Sequence, residues 1–248
     1  MKVIACYSNK GGVGKTASSV NLAYELAQSG VRTLLCDLDP QGASGFYFRV
    51  KPSKKLKGPA FFEEVERFTK AIRGSDYENL DILPANMTFR DFDVFLSRMK
   101  NSQSQLKKAL KGVKQDYDVI LLDCPPNIST LSESIFKAAD HIIVPVIPST
   151  LSERTFEQLV EFFIKHELGK SKLIPFFSMV QGQKTLHVQT MSRLQKSYKE
   201  MFLNTTVPFS SDVEKMGIHR APVMTFARTR PSAQAYHALW LELQERIR

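Results

Sequence analysis

Cysteine is scarce in this chain, and the little there is does not suit metal or redox work. Cys6, Cys36 and Cys124 are odd in number and form no CxxC pair, which argues against a disulfide framework and against thiolate ligation of a cluster. Each sits in or beside an apolar, strand-like run, so all three read as reduced, buried packing residues. Long hydrophobic runs are missing as well. The stretches at 119–122 and 142–144 fall far short of the roughly 18 residues a membrane span needs. The apolar run at 3–7 ends at Ser8-Asn9-Lys10, too soon for a signal-peptide core, and a cytoplasmic protein is expected. Glycine and proline, 12 of each, are near average usage, which excludes collagen-like and low-complexity classes. Acid is the last shortage: 25 Asp and Glu stand against 34 Lys and Arg, a net charge of +9. That surplus favours an anionic partner.

With 248 residues and 43% apolar content, the chain is long enough for one substantial core and short for two. Residues 1–248 are therefore expected to form a single domain. Short β-branched runs alternate with longer helical stretches, the pattern of a doubly wound, mostly parallel α/β sheet flanked by helices. Strands are predicted at 3–7, 33–36, 80–84, 119–122, 141–145 and 173–179, with a short one near 206–207. Several are continuously apolar, as strands buried on both faces should be. Val20, Ala23, Leu26 and Ala27 give one helix an apolar stripe, and Phe156, Leu159, Val160 and Phe163 give another. The segment at 49–59 holds five basic residues, two prolines and no acid, and reads as an exposed loop.

The chemistry concentrates at Lys10-Gly11-Gly12-Val13-Gly14-Lys15-Thr16, directly after an apolar strand and before a helical pattern. This fits the phosphate-loop template GxxxxGK[ST] with Asn9 in place of the first glycine. The three glycines let backbone N–H groups turn towards phosphate oxygens, and the following helix aims its positive end at the same anion. In that arrangement Lys15 contacts β and γ phosphates, and Thr16 offers a hydroxyl to Mg²⁺. A buried run closes on Asp123, the acid expected on the magnesium side, acting through water. At the end of another strand stands Asp37-Leu38-Asp39-Pro40-Gln41, where open α/β sheets bind ligands; Asp39 is placed to position an attacking water. Lys10 is a second positive charge at the loop, either an electrophilic aid to phosphoryl transfer or a solvated loop lysine.

KGGVGKT at 10–16, DLDPQG at 37–42 and DCPP at 123–126, in this order and spacing, resemble the ParA/Soj branch of the deviant Walker-A ATPases, the superfamily that includes MinD. The resemblance implies a slow, partner-stimulated ATPase that forms an ATP-dependent homodimer and binds double-stranded DNA nonspecifically. Such a protein positions a plasmid, chromosome origin or other large cargo over the nucleoid with a ParB-like adaptor. It also implies that Lys10 reaches the partner's ATP, that Asp39 is needed for hydrolysis, and that Ala17 and Pro208 join residues 10–16 and Asp123 in holding ATP with Mg²⁺. Clusters of Lys and Arg suit nonspecific phosphate contact. Beside the runs at 49–57 and 98–114, the leading DNA candidates are Lys215 and Arg220, with Lys196 and Lys199 as supporting charges. A MinD-like membrane-associated positioning ATPase is the alternative. It needs a basic amphipathic tail, whereas residues 240–248 carry two acids and read as a packed helix.

Overall fold

The structure, a computed structural model, describes residues 1–247. Its strands are β1 (Lys2–Cys6), β2 (Thr33–Asp37), β3 (Arg73–Gly74), β4 (Leu80–Leu83), β5 (Val119–Asp123), β6 (His141–Val146), β7 (Leu173–Val180) and β8 (Thr206–Pro208). They form one sheet in the order β3-β4-β2-β5-β1-β6-β7-β8. Every pairing is parallel except that of β3 with β4. The seven predicted strands are present, with no end shifted by more than one residue. β3 is the strand the sequence conceals, because two residues, one of them glycine, carry no periodicity to detect.

Helices α1 (Lys15–Gln28) and α2 (Ala43–Tyr47) follow β1 and β2. Next come α3 (Gly58–Glu63) and α4 (Val65–Ala71), then α5 (Phe92–Arg98) and α6 (Ser102–Lys111). The crossovers after β5, β6 and β7 are α7 (Thr130–Ala138), α8 (Thr150–Lys165) and α9 (Thr185–Ser197). Beyond β8 lie α10 (Ser211–Glu214), α11 (Met216–His219), α12 (Val223–Phe226) and α13 (Pro231–Arg246).

Strand alternation separates the core into two layers. Val3, Ala5, Leu34, Cys36, Ile120, Leu122, Ile142 and Val144 face one side, where α3 to α9 pack. Ile4, Leu35, Leu121, Ile143, Ile174 and Phe176 face the other, against α1 and α11 to α13. Both predicted stripes are buried, Val20 to Ala27 on α1 and Phe156 to Phe163 on α8. The loop at 49–57 is largely exposed, with Val50 and Ser53 partly buried and Leu56 buried in the first layer. It leads into an aromatic cluster where Phe61 meets Phe68, Phe89 and Phe92 at centroid distances of 5.1, 5.4 and 4.9 Å. The last helix belongs to the core, with Leu239, Trp240 and Leu243 buried on α13. No helix among the described residues is long and apolar enough to cross a membrane.

Candidate nucleotide site

Three neighbouring strand ends build the site. β5 lies between β2 and β1, and its last residue, Asp123, is in register with Asp37 on one side and Cys6 on the other. From β1 the chain enters the loop at 8–14 and then α1. Gly14, the residue before the helix, has φ of 90°, and a Cβ there would stand 3.1 Å from Ser178 Oγ. Only glycine suits both the dihedral and the space. No side chain caps α1, so its first N–H groups are left for an anion, at the end of the helix dipole that favours one.

Lys15 is buried, and its Nζ donates to the Lys10 carbonyl at 3.1 Å. Burial lowers the Lys15 pKa, while Cys6, Asp123, Cys124 and Asp39 oppose the shift. A buried ammonium with a single neutral acceptor gains from an arriving polyanion.

Asp123 lies within a ring of hydroxyls. Ser19 Oγ donates to Oδ1 at 3.2 Å and Ser44 Oγ to Oδ2 at 2.8 Å, and the nearby Thr16 hydroxyl also favours the ionised Asp123. Asp37 Oδ1 accepts from the Asp39 N–H at 3.1 Å, and Oδ2 from the Ser44 N–H at 3.0 Å. Burial is the main cause pushing Asp123 up to about 6 against its hydrogen bonds, and burial with Asp123 alongside pushes Asp37 up too. Two buried carboxylates side by side resist ionising unless a cation joins them. Oxygen donors with a nearby phosphate loop fit Mg²⁺ carried on a nucleotide.

This pair yields a test. Groups whose folded pKa is raised stabilise the fold at pH below their unfolded value of about 4. That contribution is lost as pH rises through the folded values, here towards and beyond about 6 for Asp123. Without nucleotide, Asp123→Asn should therefore gain in melting temperature relative to the unsubstituted protein between pH 5 and pH 8. A difference that stays flat over that range would count against the buried, mutually repelling pair.

Asp39 is half-buried on the loop after β2, and its Oδ1 accepts from the Gln41 N–H at 3.0 Å. That bond fixes the carboxylate and leaves Oδ2 as the oxygen available to a water. Gly11, Gly12 and Val13 complete the loop, with Gly12 at φ 70°. Ala17 lies in the first turn of α1, its carbonyl accepting from Asn21 Nδ2 at 2.7 Å. Pro208 ends β8 opposite Val180 of β7, on the same edge of the sheet. Lys10 is not a solvated loop lysine here. Its Nζ donates to Ser152 Oγ at 2.9 Å, within its own chain.

The structure thus groups residues 10–17 with Asp39 and Asp123. It adds Asp37, Ser19 and Ser44, which the sequence reading passed over. Ser19 carries a legible signal, since it stands four residues after Lys15 and shares its helix face. Ser44 reaches the site only through the turn after β2, which no spacing reveals. The cysteines are free and buried, and burial raises the Cys6 thiol to about 12 and raises Cys36 and Cys124 as well.

The basic candidates divide instead of clustering. Lys196 and Lys199 are exposed at the end of α9, whose Leu194 packs in the first layer; Lys215 and Arg220 flank α11, whose Met216 packs in the second. Lys215 pairs with Asp212 at 3.2 Å. Arg220 stacks over the Phe46 ring at 4.7 Å, and its Nε donates to the Phe46 carbonyl at 3.1 Å. Its guanidinium is thus already engaged in fixing α2.

A parallel sheet with this glycine loop, buried lysine and strand-end carboxylates defines a P-loop nucleotide-binding protein. A family profile described as an AAA domain matches residues 1–173, and the chain belongs to that family, as a ParA/Soj-type P-loop ATPase. Sporulation initiation inhibitor protein Soj of Bacillus subtilis is 28% identical over 241 residues, covering 95% of each chain. Among solved structures, apo McdA of Cyanothece superposes with a TM-score of 0.85 at 18% identity, covering 100% of both chains. Cobyrinic acid a,c-diamide synthase of Mycobacterium smegmatis, holding an ATP analogue and magnesium, superposes with a TM-score of 0.80 at 24% identity, over 99% of this chain and 95% of its own.

Proposed function

We propose that the protein is an ATP-dependent dimerising ATPase that binds duplex DNA without sequence preference and partitions or positions a cargo over the nucleoid. ATP lies on the loop at 10–16 and against Pro208, with Mg²⁺ held by Thr16 and, through water, by Asp123. Asp39 orients the attacking water, and Lys10 of one copy reaches the triphosphate of the other. Turnover is slow because the set is incomplete until two copies meet, and a ParB-like adaptor accelerates it. Likeness to the chromosome-partitioning ATPase Soj of Treponema pallidum, 27% identical over 99% of this chain and 98% of its own, supports the partition role.

The observation that carries this reading is the second lysine in the phosphate loop. A lone P-loop site has no need of it, whereas a site completed in trans does. An apolar rim on the same edge supports a second copy as the partner. Phe46, Ile128, Leu151, Phe209 and Ile218, all in segments that follow strand ends there, are exposed, Leu151 at 66% and Ile218 at 80%. Exposed apolar groups gathered around a site mark an interaction surface. The membrane reading gains no comparable support, because α13 spends its apolar face on the core.

ATP should switch DNA binding on, since two copies joined present each copy's weak phosphate contacts together. Lys196 and Lys199 are the foremost contacts, being exposed and outside every ion pair among the described residues. Lys215 is second to them, and Arg220 is expected to act mainly through its hold on Phe46. Random-sequence duplex should shift with MgATP and not with MgADP. Its log K should fall with log salt by roughly 0.9 per phosphate contact. Lys196→Glu with Lys199→Glu should flatten that slope while ATP-dependent dimerisation persists. Failure to shift DNA at low salt, with pelleting on anionic liposomes, would favour the membrane alternative.

A further inference from the structure

Lys10 is held by two bonds that pull on opposite ends of the residue. Its Nζ donates to Ser152 Oγ at 2.9 Å, and its carbonyl accepts from Lys15 Nζ at 3.1 Å. Ser152 is 4% exposed, in the first turn of the 16-residue α8, whose N-cap is Ser149. Ser149 Oγ also donates to Ser152 Oγ, at 3.1 Å. The surroundings are tight and mixed, with Ser8, Asn9 and Thr155 beside Val13, Val144, Val146, Phe156 and Leu159.

This is a poor place for an ammonium. The N-terminus of a helix carries partial positive charge and favours anions, so a lysine there meets repulsion. Glu153 offers little compensation, being committed to Arg193 at 2.7 Å. One neutral hydroxyl therefore holds a cation at the wrong end of a dipole, and a triphosphate is a far better partner for it.

We infer that Ser152 is a positioning residue that keeps Lys10 folded onto its own subunit, and that nucleotide arrival releases it through Lys15. Phosphate oxygens compete for Lys15 Nζ and draw it from the Lys10 carbonyl. With that backbone anchor gone, the Lys10 side chain leaves Ser152 for the partner's site. The inference rests on the proposed ATP-dependent dimer, and it explains how one copy avoids presenting the lysine before nucleotide is bound. No bond is made or broken covalently.

The test labels lysines in the nucleotide-free protein with a small amine-reactive reagent and follows Lys10 by mass spectrometry against exposed Lys165. Ser152→Ala should speed labelling of Lys10 about fivefold, the factor a typical side-chain hydrogen bond is worth. Ser152→Thr, which keeps the hydroxyl, should restore the slow rate, showing that loss of folding is not the cause. Equal labelling in the unsubstituted and Ser152→Ala proteins would overturn the inference. Light scattering then reads the coupling: Ser152→Ala should reach half-dimerisation at about fivefold lower MgATP, and Ser152→Thr should return the midpoint to that of the unsubstituted protein. An unshifted midpoint would overturn the role in release. Slow, Ser152-dependent labelling in a protein that never dimerises with ATP would instead sink the dimer reading and leave the contact standing.

Discussion

Asp39→Ala is expected to bind MgATP as tightly as the unsubstituted protein and to hydrolyse it about 100-fold more slowly or worse. The affinity should survive because Asp39 makes no hydrogen bond to the loop at 8–16; its bonds go to Asp37, Gln41 and Gly42. Its Oδ1 is bonded to the Gln41 N–H at 3.0 Å, and it is half-exposed after β2. Its removal takes one negative charge away from the triphosphate, which if anything favours binding. Turnover should collapse because a fixed carboxylate with one oxygen free is a water-orienting group, and losing such a group costs about 10²–10⁴-fold. A single-turnover experiment separates the two effects, since binding equilibrates before the chemical step. Undiminished turnover in Asp39→Ala would remove the residue from the reaction.

Lys15→Ala should do the opposite and lose nucleotide. Lys15 is 7% exposed, and its Nζ donates to the Lys10 carbonyl alone among the described residues. A charge-assisted bond to phosphate is worth about 1.5–3 kcal/mol, so ATP affinity should fall by about 10- to 100-fold. The empty fold should tolerate the change, because the substitution also removes a buried ammonium whose pKa burial already depresses. Isothermal titration with a non-hydrolysable analogue reads the affinity, and melting reads the fold. Equal loss of binding in Lys15→Ala and Asp39→Ala would break the division of roles between them.

Those roles were largely legible in the sequence because they depend on local spacing. Gly14, Lys15 and Thr16 are adjacent, and strand ends announce themselves by apolar runs that stop at Asp37 and Asp123. Non-local geometry was not legible. That Asp37 and Asp123 stand side by side follows from β2 pairing with β5, and strand order is not written in either segment. The hydroxyl ring around Asp123 draws Ser19 from α1 and Ser44 from α2, and serine at such positions looks like any solvated serine. The basic residues misled for a related reason. Lys196 and Lys215 are near in sequence, but β8 lies between them, and the chain crosses from one face of the sheet to the other there. Side-chain partners hid the rest: Asp212, three residues before Lys215, and the Phe46 ring, which Arg220 meets only in the folded chain.

ATP is expected to join two copies through Lys10. The decisive experiment is light scattering of Asp39→Ala, saturated with MgATP and held well above its nucleotide dissociation constant. Twice the monomer mass is expected with MgATP, monomer with MgADP, and monomer again when Lys10→Ala is added. Monomer in all three conditions, or a dimer indifferent to both nucleotide and Lys10, would contradict it.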